Sequence, residues 1–452
     1  RFMGRNQTKQ EYEMISENFR IKSFSSQNCR SLAFLLLLWI LTPLQAQTLY
    51  DYQLEAASNN PSLRASYNHY LSSLEMTPQV SSLPDPEVSF AYFISPVETR
   101  VGPQRARISL TQMFPWFGTL KEKETGSLIQ TKAQFESFRN QRNKLFFTME
   151  MIWASIYKTN RQIELEKKNL EIVSTLVDLS LKKYETGKVS QVDVLRAQIE
   201  KDDILTKIAL LTSDLELLIK QFNEWRNVAP DEEVILPESL AVSSPVTVNP
   251  EVLNEIYANN PSLNKIRLEE DLAENRLRIA GLNGKPAVGF GFDYIATSER
   301  TDIPALPDNG KDAVIARLSM KIPLFRSKYN AESRAADLNL SAARSEIINS
   351  KNSLSTSFYA ANRDLNDAHR RLELYDRKKI NRIDQALTLL MRSYTTDHSE
   401  FDNILELQRK KLMYELERLH AIHDAFVAEK MIRFLRGDQN INADEINYKI
   451  EQ

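Results

Sequence analysis

Apolar residues in this chain recur with two different periods, and the two alternate along its length. Around Val88 and around Ile108 the period is two: Val88, Phe90, Tyr92, Ile94, Ile108 and Leu110 fall on one face, with Arg107, Ser109 and Thr111 on the other. The alternation returns at Val288, Phe290, Phe292 and Tyr294, and again at Val314, Ala316, Leu318, Met320 and Ile322, set against Asp293, Arg317, Ser319 and Lys321. Period two marks a strand with two unlike faces. An aromatic-rich apolar face opposite a charged one predicts strands with lipid outside and water inside, although a sandwich hairpin with one buried face reads alike strand by strand.

Between the strand pairs the period lengthens. Leu145, Met149, Ile152, Ile156, Ile163, Leu170, Val173 and Val177 keep the alternating three and four spacing of a heptad seam, broken at Thr159 and Glu166. The segments Thr119 to Lys183 and Lys328 to Arg392 lack proline and almost lack glycine. Each therefore predicts a single helix of ~95 Å at 1.5 Å per residue. At the end of the first, Gly187 suits a left-handed helix stop, and Ser190 with Asp193 forms a capping box that opens a returning helix. At the end of the second, Asp397 stands where Gly187 stood, and Ser399, Phe401 and Asp402 supply the cap.

The elements occur twice because the sequence does. Asn59-Asn60-Pro61-Ser62-Leu63 returns as Asn259-Asn260-Pro261-Ser262-Leu263, and Tyr184 to Gln198 is answered by Tyr394 to Gln408. A tandem duplication is expected, each copy running short helix, two strands, very long helix, turn, returning helix. The expected bounds are 47–226 for the first repeat (strand pair 86–114, helical hairpin 119–226), 227–250 for a Pro-rich connector, and 251–437 for the second repeat (strand pair 286–322, hairpin 328–436), with a polar tail over 438–452. The fold class is mainly α with a small β part. Two hairpins give four strands per chain, whereas a barrel without free edges needs at least ~8, so several chains must contribute and an obligate oligomer is expected.

Composition narrows the function. Net charge is −2 with no concentrated Lys/Arg patch, which removes nucleic acid as a partner. Arg20, Lys22 and Arg30 precede the apolar run Leu32 to Leu41, too short for a bilayer-spanning helix. Residues 1–46 thus predict a cleaved secretory signal, cut after Ala46, with Met14 as the expected start. Cleavage removes Cys29, the only cysteine, leaving no disulfide, thiolate metal site or cysteine nucleophile. His420 and His423 lie one helical turn apart beside Asp424 and could pair on a metal, yet no third ligand is near in sequence, so a helix surface is the expected setting. No nucleophile elbow, phosphate loop or His-Glu-x-x-His motif is present. No enzyme, no cofactor and no bound metal are expected.

Tyr184-Glu185-Thr186-Gly187-Lys188-Val189-Ser190-Gln191-Val192-Asp193-Val194-Leu195-Arg196-Ala197-Gln198 closely resembles the helix-hairpin signature of TolC-like outer-membrane efflux proteins. The Asn-Asn-Pro-Ser-Leu openings and the junction Leu110 to Gly118 support the resemblance, which covers essentially the whole mature chain. It implies a homotrimer in the Gram-negative outer membrane, with a 12-strand barrel in lipid continued by an α-helical tunnel through the periplasm. It also implies that the hairpin tips meet a periplasmic adaptor linked to an inner-membrane pump. On that basis Gly187, Val189, Ser190, Asp193, Asp397, Ser399 and Phe401 are the expected docking residues. Asp402 and Glu406 become the candidate aperture, where three copies of a carboxylate would repel one another and attract cations. The second tip departs from the pattern, with Asp397 in place of glycine and Asn403 opposite Asp193. The expected function is passive export of small molecules or metal ions; the same framework serves type I protein secretion. Pro115 to Leu120 resembles the metal-efflux branch, which pairs with heavy-metal RND pumps, more than the drug-efflux branch. From the residues alone, a non-pore coiled-coil structural protein stands as the alternative.

Overall fold

The computed structural model describes residues 48–242, 250–303, 307–395 and 401–437. The expected signal segment, the polar tail, Asp397 and Ser399 lie outside the described residues. The first repeat contains α1 (Leu49–Asn59), α2 (Pro61–Ser81), β1 (Glu87–Thr99), β2 (Gly102–Phe114), α3 (Thr119–Glu185) and α4 (Gln191–Arg226). The second contains α5 (Pro250–Asn259), α6 (Pro261–Asn283), β3 (Ala287–Thr297), β4 (Ala313–Lys321), α7 (Arg326–Leu374), a π-helical turn (Tyr375–Lys379), α8 (Ile380–Thr395) and α9 (Phe401–Arg436).

Each repeat opens with two helices where the pattern predicted one, and the repeated motif is the reason. Asn60 and Asn260 precede prolines, which disfavours helical backbone; both sit at ψ near 118° and cap the helix that follows, with proline at its first turn. In each, Oδ1 accepts from the amide three residues on, Leu63 at 3.0 Å and Leu263 at 3.1 Å. The side-chain nitrogen donates to the end of the returning helix of the same repeat: Asn60 to the Trp225 carbonyl at 3.0 Å and Asn260 to the Leu435 carbonyl at 2.9 Å. α4 and α2 are thereby joined end to end, as are α9 and α6. Long α3 packs against α2 and α4 on one side and α6 and α9 on the other, and α7 packs on α6 and α9. The strip of helices ends in two flanks, α2 with α4 at one end and α7 at the other, each with no further helix packed beyond it among the described residues.

The heptad seam of α3 is its buried stripe. Leu145, Met149, Ile156, Ile163, Val173 and Val177 are buried, and so are the two apparent breaks, Thr159 and Glu166. The main core gathers Tyr52, Phe138, Phe146, Met149, Trp153, Phe222 and Phe426, with α1 laid across α3 and α4. Arg226, wholly buried, stacks 4.6 Å from the Tyr52 ring and bonds Glu55 at 2.8 Å and Glu232 at 2.6 Å. The second long helix is not the uniform α-helix its sequence predicts. At Tyr375–Lys379 it takes a π turn, whose extra residue shifts the phase of the apolar positions downstream. The turn is anchored on α9, by Asp376 paired with Arg418 and by the Tyr375 ring 5.7 Å from that of Tyr414.

The two expected strand pairs form one antiparallel sheet in the order β1-β2-β3-β4, so β2 and β3 weld the repeats together. Register keeps like residues in line: Phe90 faces Ile108, Ile108 faces Tyr294, and Tyr294 faces Val314. No helix among the described residues is long and apolar enough to cross a membrane.

Candidate functional site

The sheet carries its apolar side chains outward into open space. Val88, Phe90, Tyr92, Ile94, Phe290, Phe292, Tyr294, Leu318 and Met320 are all exposed, Ile94 to 95%. A contiguous aromatic and aliphatic surface of this kind is not left in water by a soluble fold. At the helix-side end of the strands Phe117, Leu324 and Phe325 are also exposed, an apolar rim where a bilayer boundary would lie. The opposite face is polar. Asp293 on β3 lies between Arg107 of β2, 2.5 Å away, and Arg317 of β4, 3.5 Å away. β1 and β4 are the sheet's two edges, and neither has a partner strand among the described residues.

At the far end of the helices the first tip is built as its sequence predicts. Gly187 takes φ +68°, its amide reaching the Tyr184 carbonyl at 2.9 Å, while the Lys188 amide bonds the Lys183 carbonyl at 2.9 Å. Nothing lies within 4 Å of where a Cβ on Gly187 would stand, so backbone sign alone selects glycine here. Ser190 and Asp193 form the capping box: the Asp193 carboxylate accepts from the Ser190 amide at 3.0 Å and its hydroxyl at 2.9 Å. Gly187 and Ser190 are exposed and Val189 is half-buried. Phe401 begins α9; Asp397 and Ser399 fall outside the described residues.

The two hairpins close on each other just behind the tips. Leu176, Val177, Ala197, Tyr394, Ile404 and Leu405 form a small core there. Lys183 of α3 donates to the Tyr394 carbonyl at 2.6 Å and holds its ammonium 3.7 Å over that ring. Of the aperture candidates, Asp402 pairs with Arg196 of α4, and Glu406 is exposed one turn further along α9. A second pair, Arg409 to Glu200 at 2.6 Å, crosses the same two helices. Sequence reasoning missed Arg196, Glu200 and Arg409, since their partners lie some two hundred residues away. The duplication held one signal, as Arg196 and Glu406 occupy equivalent positions in the two repeats with opposite charge.

His423 and His420 differ in setting. His423 is largely enclosed, its Nδ1 3.1 Å from Asp424 Oδ1 and its Nε2 3.4 Å from the Ser155 hydroxyl. His420 lies beside Glu417, and partial burial lowers its pKa. Among the described residues no three His, Cys, Asp or Glu side chains gather to hold a metal ion.

Residues 44–216 match the outer membrane efflux protein family. The fold is similar to that of the outer-membrane channel OprN, at 15% identity, covering 86% of this chain and 90% of that one with a TM-score of 0.75. It is also similar to VceC of Vibrio cholerae, at 14% identity, 86% and 96% coverage and a TM-score of 0.71. For the Campylobacter jejuni CmeC outer membrane channel the values are 11%, 89%, 89% and 0.71. At such identities the likeness is one of fold. No curated protein matches the chain by sequence. The family match thus covers the first repeat, and the fold shared with these channels spans both repeats.

Proposed function

We propose that three copies of this chain close into a passive duct through the outer membrane, the exit of a tripartite efflux system. The observation that carries this reading is the sheet: four strands, two open edges, and one face of exposed aromatic and aliphatic side chains. In lipid an open edge leaves backbone groups unsatisfied, which costs several kcal/mol per group, so β4 of one copy must meet β1 of the next until the ring closes. Three sheets of four strands give twelve. The two outer helical flanks, α2 with α4 and α7, meet in the same rotation and extend the barrel as a tunnel.

The tips bear the regulation. Gly187, Val189, Ser190 and Asp193 of the first hairpin, with Asp397, Ser399 and Phe401 of the second, form the docking surface for a periplasmic adaptor that couples the duct to an inner-membrane pump of the RND type. Asp402 and Glu406 line the aperture. The Arg196–Asp402 and Arg409–Glu200 pairs hold the returning helices together at rest, and adaptor docking separates them. The cargo is small molecules or metal ions delivered by the pump, and the chain itself supplies no catalysis.

Detergent-extracted protein reconstituted in planar bilayers tests the reading. A heat-resistant trimer that conducts is the expected result. Extraction in plain buffer as a monomer without conductance would overturn it.

A further inference from the structure

We infer that the membrane-spanning part of this duct carries a belt of arginines that admits and retains small multivalent anions, phosphate-bearing or polycarboxylate in class. The inference rests on the closed-barrel reading above, which makes the polar face of the sheet the lumen. On that face Arg107, Asp293 and Arg317 lie on three adjacent strands and on successive inward-facing rows, since Ser109 faces Asp293 and Gly291 faces Arg317.

The carboxylate is covered and the guanidiniums are not. The Asp293 side chain is 2% exposed, whereas Arg107 is 35% and Arg317 39% exposed. Arg107 donates from Nε to the Ser109 hydroxyl at 3.1 Å and from Nη2 to Asp293 at 2.5 Å. Arg317 crosses β3 to donate to the Thr111 hydroxyl at 2.8 Å. The path exists because β3 has glycine at the crossing: a Cβ on Gly291 would stand 3.4 Å from Arg317 Nε and 2.9 Å from the Leu110 carbonyl. Arg317 Nε itself is buried with no acceptor. A guanidinium has five N–H donors, so both arginines keep donors beyond these bonds.

The charge balance of the inner face points the same way. In the regularly paired rows, up to the register shifts that follow Tyr92 and precede Ala106, its charged residues are Arg107, Arg317 and Lys321 against Glu87 and Asp293, three cations to two carboxylates. Three chains repeat this around one axis. Guanidiniums match phosphate and carboxylate oxygens in pairs, and a low-dielectric wall focuses their field into the lumen. Arginine and lysine rings are how pores select anions. The sign is opposite to that of the aperture candidates Asp402 and Glu406, so the two ends of the duct would filter differently.

The probe is inorganic pyrophosphate added to each side in turn of single trimers conducting potassium chloride in planar bilayers. Wild type is expected to show block from the side of the strand loops. Replacing both arginines, Arg107→Gln with Arg317→Gln, should raise the half-blocking concentration by about tenfold or more. Asp293→Asn keeps both guanidiniums and should lower it, which preserves a test if the double variant fails to assemble. Conducting trimers that pyrophosphate does not block, or blocks equally with and without the arginines, would overturn the belt while leaving the duct intact. A monomer extracted in plain buffer that carries no current would overturn both.

Discussion

Asn60 and Trp225 are 165 positions apart, yet one side chain makes them neighbours in a single helical column: the Asn60 amide donates to the Trp225 carbonyl at 3.0 Å while its oxygen caps the next helix at Leu63. A helix end leaves carbonyls without partners, and a helix start leaves amides without them. Asparagine, which carries both a donor and an acceptor, serves one of each. Asn260 does the same between Leu435 and Leu263.

Asn60→Ala should therefore cost about 1–2 kcal/mol, the usual loss for a helix cap with a further bond gone. Asn60→Asp is the sharper test. It keeps the oxygen that accepts from Leu63 but turns the donor toward Trp225 into a second acceptor, so it should destabilise nearly as much as alanine. Heat dissociation of the trimer on gels reads both; an aspartate variant as stable as wild type would remove the joint.

Much of this was legible in the sequence. Period two named the strands and their apolar face, the duplication named the order of elements, and Gly187 with Ser190 and Asp193 specified the first tip without help from distant residues. What escaped was set by partners remote in sequence. The pairing of β2 with β3 depends on chain closure across the whole first hairpin, and the π turn at Tyr375 on contacts with Tyr414 and Arg418 of α9. The pairing of Asp402 with Arg196 was hidden for the same reason, and it changes the aperture reading: that carboxylate enters the tip region already matched by a cation.

Gly187 sits at φ +68° on an exposed turn, where a side chain costs about 1–2 kcal/mol in backbone strain. Gly187→Pro also removes the amide that bonds the Tyr184 carbonyl. Because nothing else packs on this residue, Gly187→Ala and Gly187→Pro should leave trimer yield unchanged and export by the whole system impaired, proline more than alanine. Asp193→Lys should act alike by breaking the capping box. Full export with all three variants would show that the tip does not dock the adaptor.

The Arg196–Asp402 pair is half exposed on both sides, so its contribution to stability is small and falls with salt. Its effect on gating is expected to be larger than its effect on folding. Arg196→Ala and Asp402→Asn should each raise resting conductance at unchanged trimer stability, and the exchange Arg196→Asp with Asp402→Arg should lower it again. Equal conductance in all four proteins would mean that the pair does not hold the tips closed.

Acid should loosen α7 from α9 in a defined window. His423 and then Arg371, which donates at 2.6 Å, hold the Asp424 carboxyl down to about 2 from its ordinary 3.8. A depressed carboxylate contributes its stability fully above the unfolded value and loses it as pH falls through the folded one, here between pH 3.8 and about 2. Asp424→Asn should flatten the pH dependence of trimer melting across that interval and leave it unaltered above pH 5. An unchanged acid profile would show that the link between α7 and α9 does not depend on this charge.

Leu318 and Ser319 are adjacent on β4 and, by the pleat of a strand, point to opposite faces. Leu318 is 67% exposed on the apolar side, opposite Phe290, while Ser319 lies on the side of Arg317 and Lys321. If the apolar face meets lipid, Leu318→Arg places a charge in hydrocarbon at about 2–4 kcal/mol per chain near the midplane, three times over in a trimer. Ser319→Arg places the same side chain in water. The first substitution should abolish heat-resistant trimers in outer-membrane fractions, and the second should leave them present with altered conductance. A sheet buried against protein on its apolar side would give a different pair of outcomes, because an arginine at 318 would then clash with a partner that detergent does not replace. Rescue of the Leu318→Arg trimer by thinner bilayers, which bring the charge closer to the interface, would complete the assignment of that face to lipid.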